Sequence, residues 1–455
     1  MRPAGTNEVR RAVWSLRAAA AACVLPACLL LCCPAAAGQV FHMGLDFTDS
    51  QAGTPPFDAA PFLLTGVDNN FVLDGGLVGW SEESARRGVA LAVEDAFTAL
   101  DTGQSDRRPA IQLHIGPVDQ ALSGRRLNVR FGDGPIADVF GLANQGAAVR
   151  EAGNPNDTYV AAVFPDELDE HVGGEGAFSS AEKVFNAVAG TAAHEIGHTF
   201  DLRHVDRGGS QPYPIMATGS TGLTMADRLT ARRFTDQDGT QPEGSSASML
   251  LDAIGQVDRA DFDMSGSVDG VDAARLPANW LRGDALFQEA DADGDHAVDL
   301  LDAGAVFAGW TAAGGGTYSA AATYDPATGN VALSCSGVQL LMVRSPAGLL
   351  TGASADLGWT PANSMIQDDD CLVGFASFQA AAAAAGRDLG PVAPPGLEVG
   401  DLELVYFGAP GSGQVVAPVT VIPEPAILTL LAAATCLLLR RRRHICLPFC
   451  SPPRD

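Results

Sequence analysis

The sequence predicts a multidomain chain: an α+β domain over residues 38–235, a small α-helical pair built on acidic loops over 258–312, and a β-sandwich-like domain over 313–420. Three observations carry this reading. At 455 residues the chain exceeds what one hydrophobic core usually holds, so several domains are expected. Strand-like alternations lead into a helical period that ends in histidines at 194, 198 and 204. Beyond it, carboxylates recur at alternate positions in two loops of equal length, and the sequence then turns to low-charge alternation.

The ends come first. Arg2, Arg10, Arg11 and Arg17 precede an apolar run from Ala18 to Cys33, and Ala35-Ala36-Ala37-Gly38 follows. A basic flank, a short apolar stretch and small residues make residues 1–37 a signal peptide with cleavage near Ala37, so the protein is expected to be secreted. A formal net charge of -26 argues against a nucleic-acid partner and suits a protein whose carboxylates hold cations. Of nine cysteines, only Cys335 and Cys371 lie in the body left after the signal and the C-terminal apolar run, and they are read as a single disulfide.

Residues 38–75 hold short alternations such as Phe41 to Phe47, which fit either a pro-segment or a first strand. Ser81 reads as an N-cap with Glu82 and Glu83 in the first turn, and Ala85, Val89, Ala92, Ala96 and Leu100 share one face of the helix that follows. Further strands are expected at 111–115, 127–131, 137–143 and 158–164. Ser179 and Glu182 form a capping box for a helix whose period runs through Val184, Ala187, Val188, Thr191 and Ala192. Residues 223–234 read as a short closing helix, and 236–257 as a linker rich in Asp, Gly, Gln and Ser.

The helix ends in Ala193-His194-Glu195-Ile196-Gly197-His198-Thr199-Phe200-Asp201-Leu202-Arg203-His204. His194 and His198 stand one turn apart on one face, so both imidazoles can reach one ion, and His204 can complete the set only if the chain turns sharply after His198. Asp201 is suited to such a turn, since Asp is among the few non-glycine residues that tolerate positive φ. Glu195, beside these histidines, can take a proton from a water acidified by a Zn²⁺ ion. The competing reading is an amphipathic helix with histidines on its polar face and Met216 as ordinary core. That leaves the histidine spacing without a cause.

The stretch resembles the metzincin zinc-protease signature H-E-x-x-H-x-x-G-x-x-H, matched at His194, Glu195, His198 and His204, with Asp201 where the family has Gly. Tyr213-Pro214-Ile215-Met216-Ala217 is similar to the family's Met-turn, which implies that Met216 is a structural floor beneath the zinc. The resemblance implies a zinc-dependent endopeptidase acting on a protein or peptide substrate, with Glu195 as the catalytic base. It also implies that residues 138–143 are the edge strand on which an extended peptide lies, because an edge offers unpaired N–H and C=O groups.

The acidic loops run from Asp261 to Asp272 and from Asp291 to Asp302. Asp261, Asp263, Ser265 and Asp272 in one, and Asp291, Asp293, Asp295 and Asp302 in the other, occupy positions 1, 3, 5 and 12 of the EF-hand pattern of oxygen ligands for Ca²⁺. Each loop leads into a helix-like stretch ending at Trp280 or Trp310, and the pair resembles a type I dockerin module, with His296 standing at the sixth loop position of the second copy. That resemblance implies calcium binding and a cohesin-like partner.

The tail carries Pro423-Glu424-Pro425, an apolar run from Ala426 to Leu439 and Arg440 to Arg443. It is shorter than a stable membrane span and obeys the positive-inside rule. Residues 421–455 resemble a PEP-CTERM sorting signal, which implies transient membrane anchoring, processing by an exosortase-type enzyme and display at a bacterial cell surface. The rival to the whole reading is a non-enzymatic surface or scaffold protein with a structural zinc site and a dockerin-like interaction module. Glu195 speaks against it, because a structural site needs no base.

Overall fold

The computed structural model describes residues 40–48, 62–100, 106–119, 121–122, 124–134, 138–146, 159–172, 176–209, 211–235, 245–280, 282–310, 318–351, 365–367, 371–375, 382–408 and 414–422. The segment read as a signal peptide and the part from Pro423 of the segment read as a sorting tail lie outside them. Among the described residues no helix is long and apolar enough to cross a membrane. The chain divides into two compact units, one reaching Asp258 and including residues 264–266, the other formed by Arg259–Asp263 and the residues from Ser267 on.

The first unit is organised by a five-stranded sheet. Its strands are β1 (Phe41–Asp46), β3 (Ile111–Ile115), β4 (Arg125–Phe131), β5 (Gly141–Ala143) and β6 (Tyr159–Val163), in the order β3-β1-β4-β6-β5. β1 pairs parallel with β3 and β4, β4 pairs parallel with β6, and β5 runs antiparallel to β6 at the edge. Phe41–Asp46 is therefore an inner strand of this sheet. All six of its residues are buried, as expected of a parallel strand covered on both faces. On one face Gly44 leaves no room for a Cβ, because Asn128 and the backbone of Gly116 and Val118 cross it.

The helices are α1 (Asn70–Leu73), α2 (Glu82–Thr98), α3 (Pro165–His171), α4 (Ala181–Thr199), α5 (Met225–Arg228) and α6 (Ser246–Ile254). Ser81 caps α2, its side chain accepting the Ser84 N–H at 3.1 Å. α2 packs on α4, and α4 contacts β5 and β6. The close approach of the two helices depends on Gly88, where a Cβ would enter the Phe185 ring.

Several expectations are corrected. α4 is capped by Ser180, whose Oγ accepts the Lys183 N–H at 3.4 Å. Ser179 lies one residue too early and takes the Lys183 ammonium instead, at 2.8 Å. The strand foreseen at 137–143 is confined to Gly141–Ala143, because Asp138 sits at φ 64, which no strand residue adopts. Residues 223–234 form only the one-turn α5, followed by β8 (Arg232–Arg233), which pairs parallel with β7 (Tyr213–Pro214).

The described part of the supposed linker is also folded. Ser245 and Ser248 cap α6 reciprocally, and Ala247, Leu250 and Ile254 bury its apolar face. After Gly255 at φ 84, β9 (Gln256–Asp258) pairs antiparallel with β2 (Arg107–Pro109), so the first unit runs on to Asp258.

The second unit contains the acidic loops apart from residues 264–266, with α7 (Gly270–Ala273), α8 (Arg275–Asn279) and α9 (Leu300–Gly309), and two sheets. One sheet is ordered β15-β11-β10-β18 and comprises Ala382–Asp388, Val331–Val338, Ser319–Tyr324 and Thr420–Val421. The other, β13-β14-β12-β16-β17, comprises Met365–Gln367, Cys371–Phe375, Leu340–Arg344, Glu403–Phe407 and Val415–Pro418. Tyr324, Val331 and Leu333 of the first share one apolar core with Leu341, Val343 and Leu404 of the second. Cys335 is buried on β11, and Cys371 opens β14 of the opposite sheet.

Candidate metal centre

α4 delivers His194, Glu195 and His198 from its last two turns, and the helix stops by a Schellman turn. Asp201 adopts φ 67, its N–H bonds the His198 carbonyl at 3.0 Å, and the Leu202 N–H bonds the Gly197 carbonyl at 3.1 Å. The reversal brings His204 back to the helix. Nε2 of His198 then lies 3.1 Å from Nε2 of His194 and 3.0 Å from Nε2 of His204.

Those separations test the site for a metal. Three nitrogens held about 2.05 Å from one zinc ion at tetrahedral angles stand roughly 3.3 Å apart. Both separations from His198 are thus already within a few tenths of an ångström of that spacing, and the ligand atoms of the whole group lie within 4.8 Å of one another. In two of the imidazoles the other nitrogen is engaged: Nδ1 of His194 meets the Ile215 carbonyl at 2.7 Å, and Nδ1 of His198 meets the Leu202 carbonyl at 2.8 Å. A carbonyl accepts only from N–H, which fixes the proton on Nδ1 and leaves Nε2 free to ligate. Burial lowers the pKa of all three histidines, so they are neutral at pH 7, as ligation requires. The three residues fit zinc.

Beneath them Met216 is fully buried, and a Cβ on Gly197 would collide with its sulfur. The Val205 N–H bonds the Met216 carbonyl at 3.2 Å, tying the returning segment to this turn. Tyr213 lies before the turn, its hydroxyl accepting from Arg207 at 2.6 Å, and Arg207 also holds Asp227 through two contacts at 2.7 and 2.8 Å.

Glu195 points into a cleft of about 630 Å³ that also takes in His194, His198, His204 and the edge strand β5. Gly141 of that strand leaves no space for a Cβ because the Glu195 carboxylate fills it. Burial pushes the Glu195 carboxyl up to about 8, opposed by the positive charge of Arg228. A bound divalent cation would pull it back down. Such a group takes up and releases a proton near neutral pH.

Sequence reasoning missed the orienting carbonyls of Leu202 and Ile215, the close approach of Gly141, and two arginines. Arg228 lines the cleft. Arg232 is 7% exposed beneath α4, at Gly190, where a Cβ would strike its guanidinium. Its Nη1 lies 3.5 Å from the same Ile215 carbonyl that holds His194.

In the second unit, Asp261, Asp263 and Asp272 converge, and so do Asp291, Asp293 and Asp302. The loops match at their special backbone positions. Met264 and Gly266 in one, and Gly294 and His296 in the other, all have positive φ, so His296 adopts the conformation its glycine counterpart has. Asp272 accepts the N–H groups of Asp263 and Asp269 at 3.1 and 2.9 Å, and Asp302 those of Ala292 and Asp299 at 2.6 and 2.7 Å. Asp295 is not part of the converging group, because its carboxylate turns to the Ala297 N–H at 2.8 Å. Ser265 is exposed.

Comparison with protein-family models, curated proteins and solved structures finds no match to this chain. The geometry of the site therefore has to carry its interpretation.

The Asp201 turn gives a direct stability test. A non-glycine residue in the left-handed region costs about 1 kcal/mol, so Asp201→Gly is expected to raise unfolding free energy by roughly 0.5–1 kcal/mol. Urea denaturation of the two proteins measures it. A loss of stability would mean that the Asp201 side chain contributes more than its backbone conformation costs.

Proposed function

We propose that the chain is a secreted zinc-dependent endopeptidase of the metzincin type. The observation that carries this is the convergence of three imidazoles, with Nε2 of His198 at 3.1 and 3.0 Å from those of His194 and His204, in the cleft that holds Glu195 and a sheet edge. His194, His198 and His204 would hold the ion. When bound, zinc supplies Lewis-acid polarisation of a carbonyl oxygen and lowers the pKa of a coordinated water.

The chain's own residues do the rest. Among the described residues β5 has β6 on one side only, so its outer N–H and C=O groups would take an extended peptide by strand addition. Glu195 receives the proton of the attacking water on its carboxylate and returns it to the leaving amine as the C–N bond breaks. Leu202 and Ile215 keep the imidazoles aimed, and Met216 closes the floor.

The paired loops are read as calcium sites of a dockerin-like module, supported by their matched ligand positions and matched backbone. Export and surface sorting rest on the composition of the two ends.

Incubation with unfolded casein tests the reading. Fragments are expected to accumulate, to stop on treatment with a zinc chelator and to resume when zinc is restored. Cleavage that continues with the metal removed would overturn it.

A further inference from the structure

We propose that Arg228 selects substrates bearing an acidic side chain next to the scissile bond. The inference rests on the peptidase reading and concerns which peptides that site takes.

Arg228 is the only lysine or arginine among the described residues lining the cleft. Its guanidinium lies over the Phe140 ring, 4.8 Å from the centroid, in the run that leads into β5. One face of the group is thereby fixed. Its Nε is buried with no hydrogen-bond partner, and the charge its guanidinium feels in the cleft is that of Glu195. Asp138, the other acid on the cleft wall besides Glu195, is taken by His171 at 3.2 Å.

The helix that carries Arg228 is held firmly. Thr224 and Asp227 cap α5 reciprocally, and Asp227 is clamped by Arg207, which itself lies 4.0 Å from the centre of the Tyr213 ring. A cation fixed in a partly apolar cleft with unmet hydrogen-bonding capacity costs stability until an anion meets it. A planar guanidinium pairs best with a carboxylate, which accepts two parallel N–H bonds. In a chain of net charge -26 the long-range field repels acidic peptides. Any preference for them must then come from this local contact, and reversing one charge should reverse the preference.

Profiling of the full-length protein on a peptide library with amidated C-termini tests this. Wild type is expected to cleave peptides with Asp or Glu at one position beside the cut about tenfold or more faster than the matched Lys peptides. R228E is expected to invert that ratio. R228K, which keeps the charge and loses the fork, is expected to retain the acidic preference at a smaller ratio. Zinc content and thermal melting establish that each variant is folded, and the wild-type profile together with the milder R228K stands if R228E is not. Cleavage without an acidic preference, or a preference that R228E leaves unchanged, overturns the assignment while leaving the peptidase intact. Cleavage that appears only when the peptides carry a free C-terminus would assign Arg228 to an α-carboxylate and also overturn it. No cleavage of any peptide would remove the peptidase reading and this inference with it.

Discussion

Replacing Glu195 by Gln is expected to leave zinc in place and to lower peptide hydrolysis by about 10²–10⁴-fold, the range a positioned general base contributes. Zinc should stay because the three Nε2 atoms and the carbonyls that orient them come from other residues. The fold should stay because the amide is nearly isosteric with the carboxylate, and Glu195 is packed against Gly141 by shape. Turnover should fall because an amide cannot take a proton from water at neutral pH. Metal analysis together with kcat/KM on one peptide separates the outcomes. Hydrolysis at the parent rate would sink the assigned role, and loss of zinc would show that Glu195 helps to build the centre.

Calcium affinity in the second unit is expected to fall by about tenfold or more between pH 8 and pH 5. Burial first, and then the nearby Asp293 and Asp291, push the Asp302 carboxyl up to about 7. Burial and Asp263 push Asp272 up to about 6. The sign follows from these directions. Both carboxyls have folded-state pKa values above their unfolded ones, so without a cation the stability they lend is present at low pH and lost as pH rises through about 6 to 7. A calcium ion needs them ionised and must displace those protons, so its binding strengthens as the pH climbs through the same interval. Titration calorimetry at the two pH values, in buffers of different ionisation enthalpy, reads both affinity and proton release. Equal affinity with no proton released would rule out Asp272 and Asp302 as ligands.

The parts that could be read in the sequence are those whose chemistry is local. His194 and His198 declare themselves by helical spacing, and Asp201 by its tolerance of positive φ, which the structure places at 67°. The two loops were legible because the same residue types recur at the same offsets, and the strands at 41–46, 111–115 and 159–163 because alternation or apolar runs mark them. What escaped depends on distant segments meeting. The carbonyls of Leu202 and Ile215 carry no side-chain signature. Gly141 is informative only once Glu195 is known to lie against it. Arg228 carries no signal until the fold sets it over Phe140. Composition misled at 245–258, where serine and glutamine suggested a spacer and a reciprocal serine cap starts a helix.

The two carbonyls that aim the imidazoles belong to residues 202 and 215, both beyond the end of α4. A nascent chain that has wound this helix but not yet docked the following segment holds two histidines free to rotate and lacks the third. Tight metal capture is therefore postponed until the first unit has closed around it. On the proposed peptidase reading, activity would be armed by the completion of folding, and an unfinished copy would be poorly equipped to cut its neighbours.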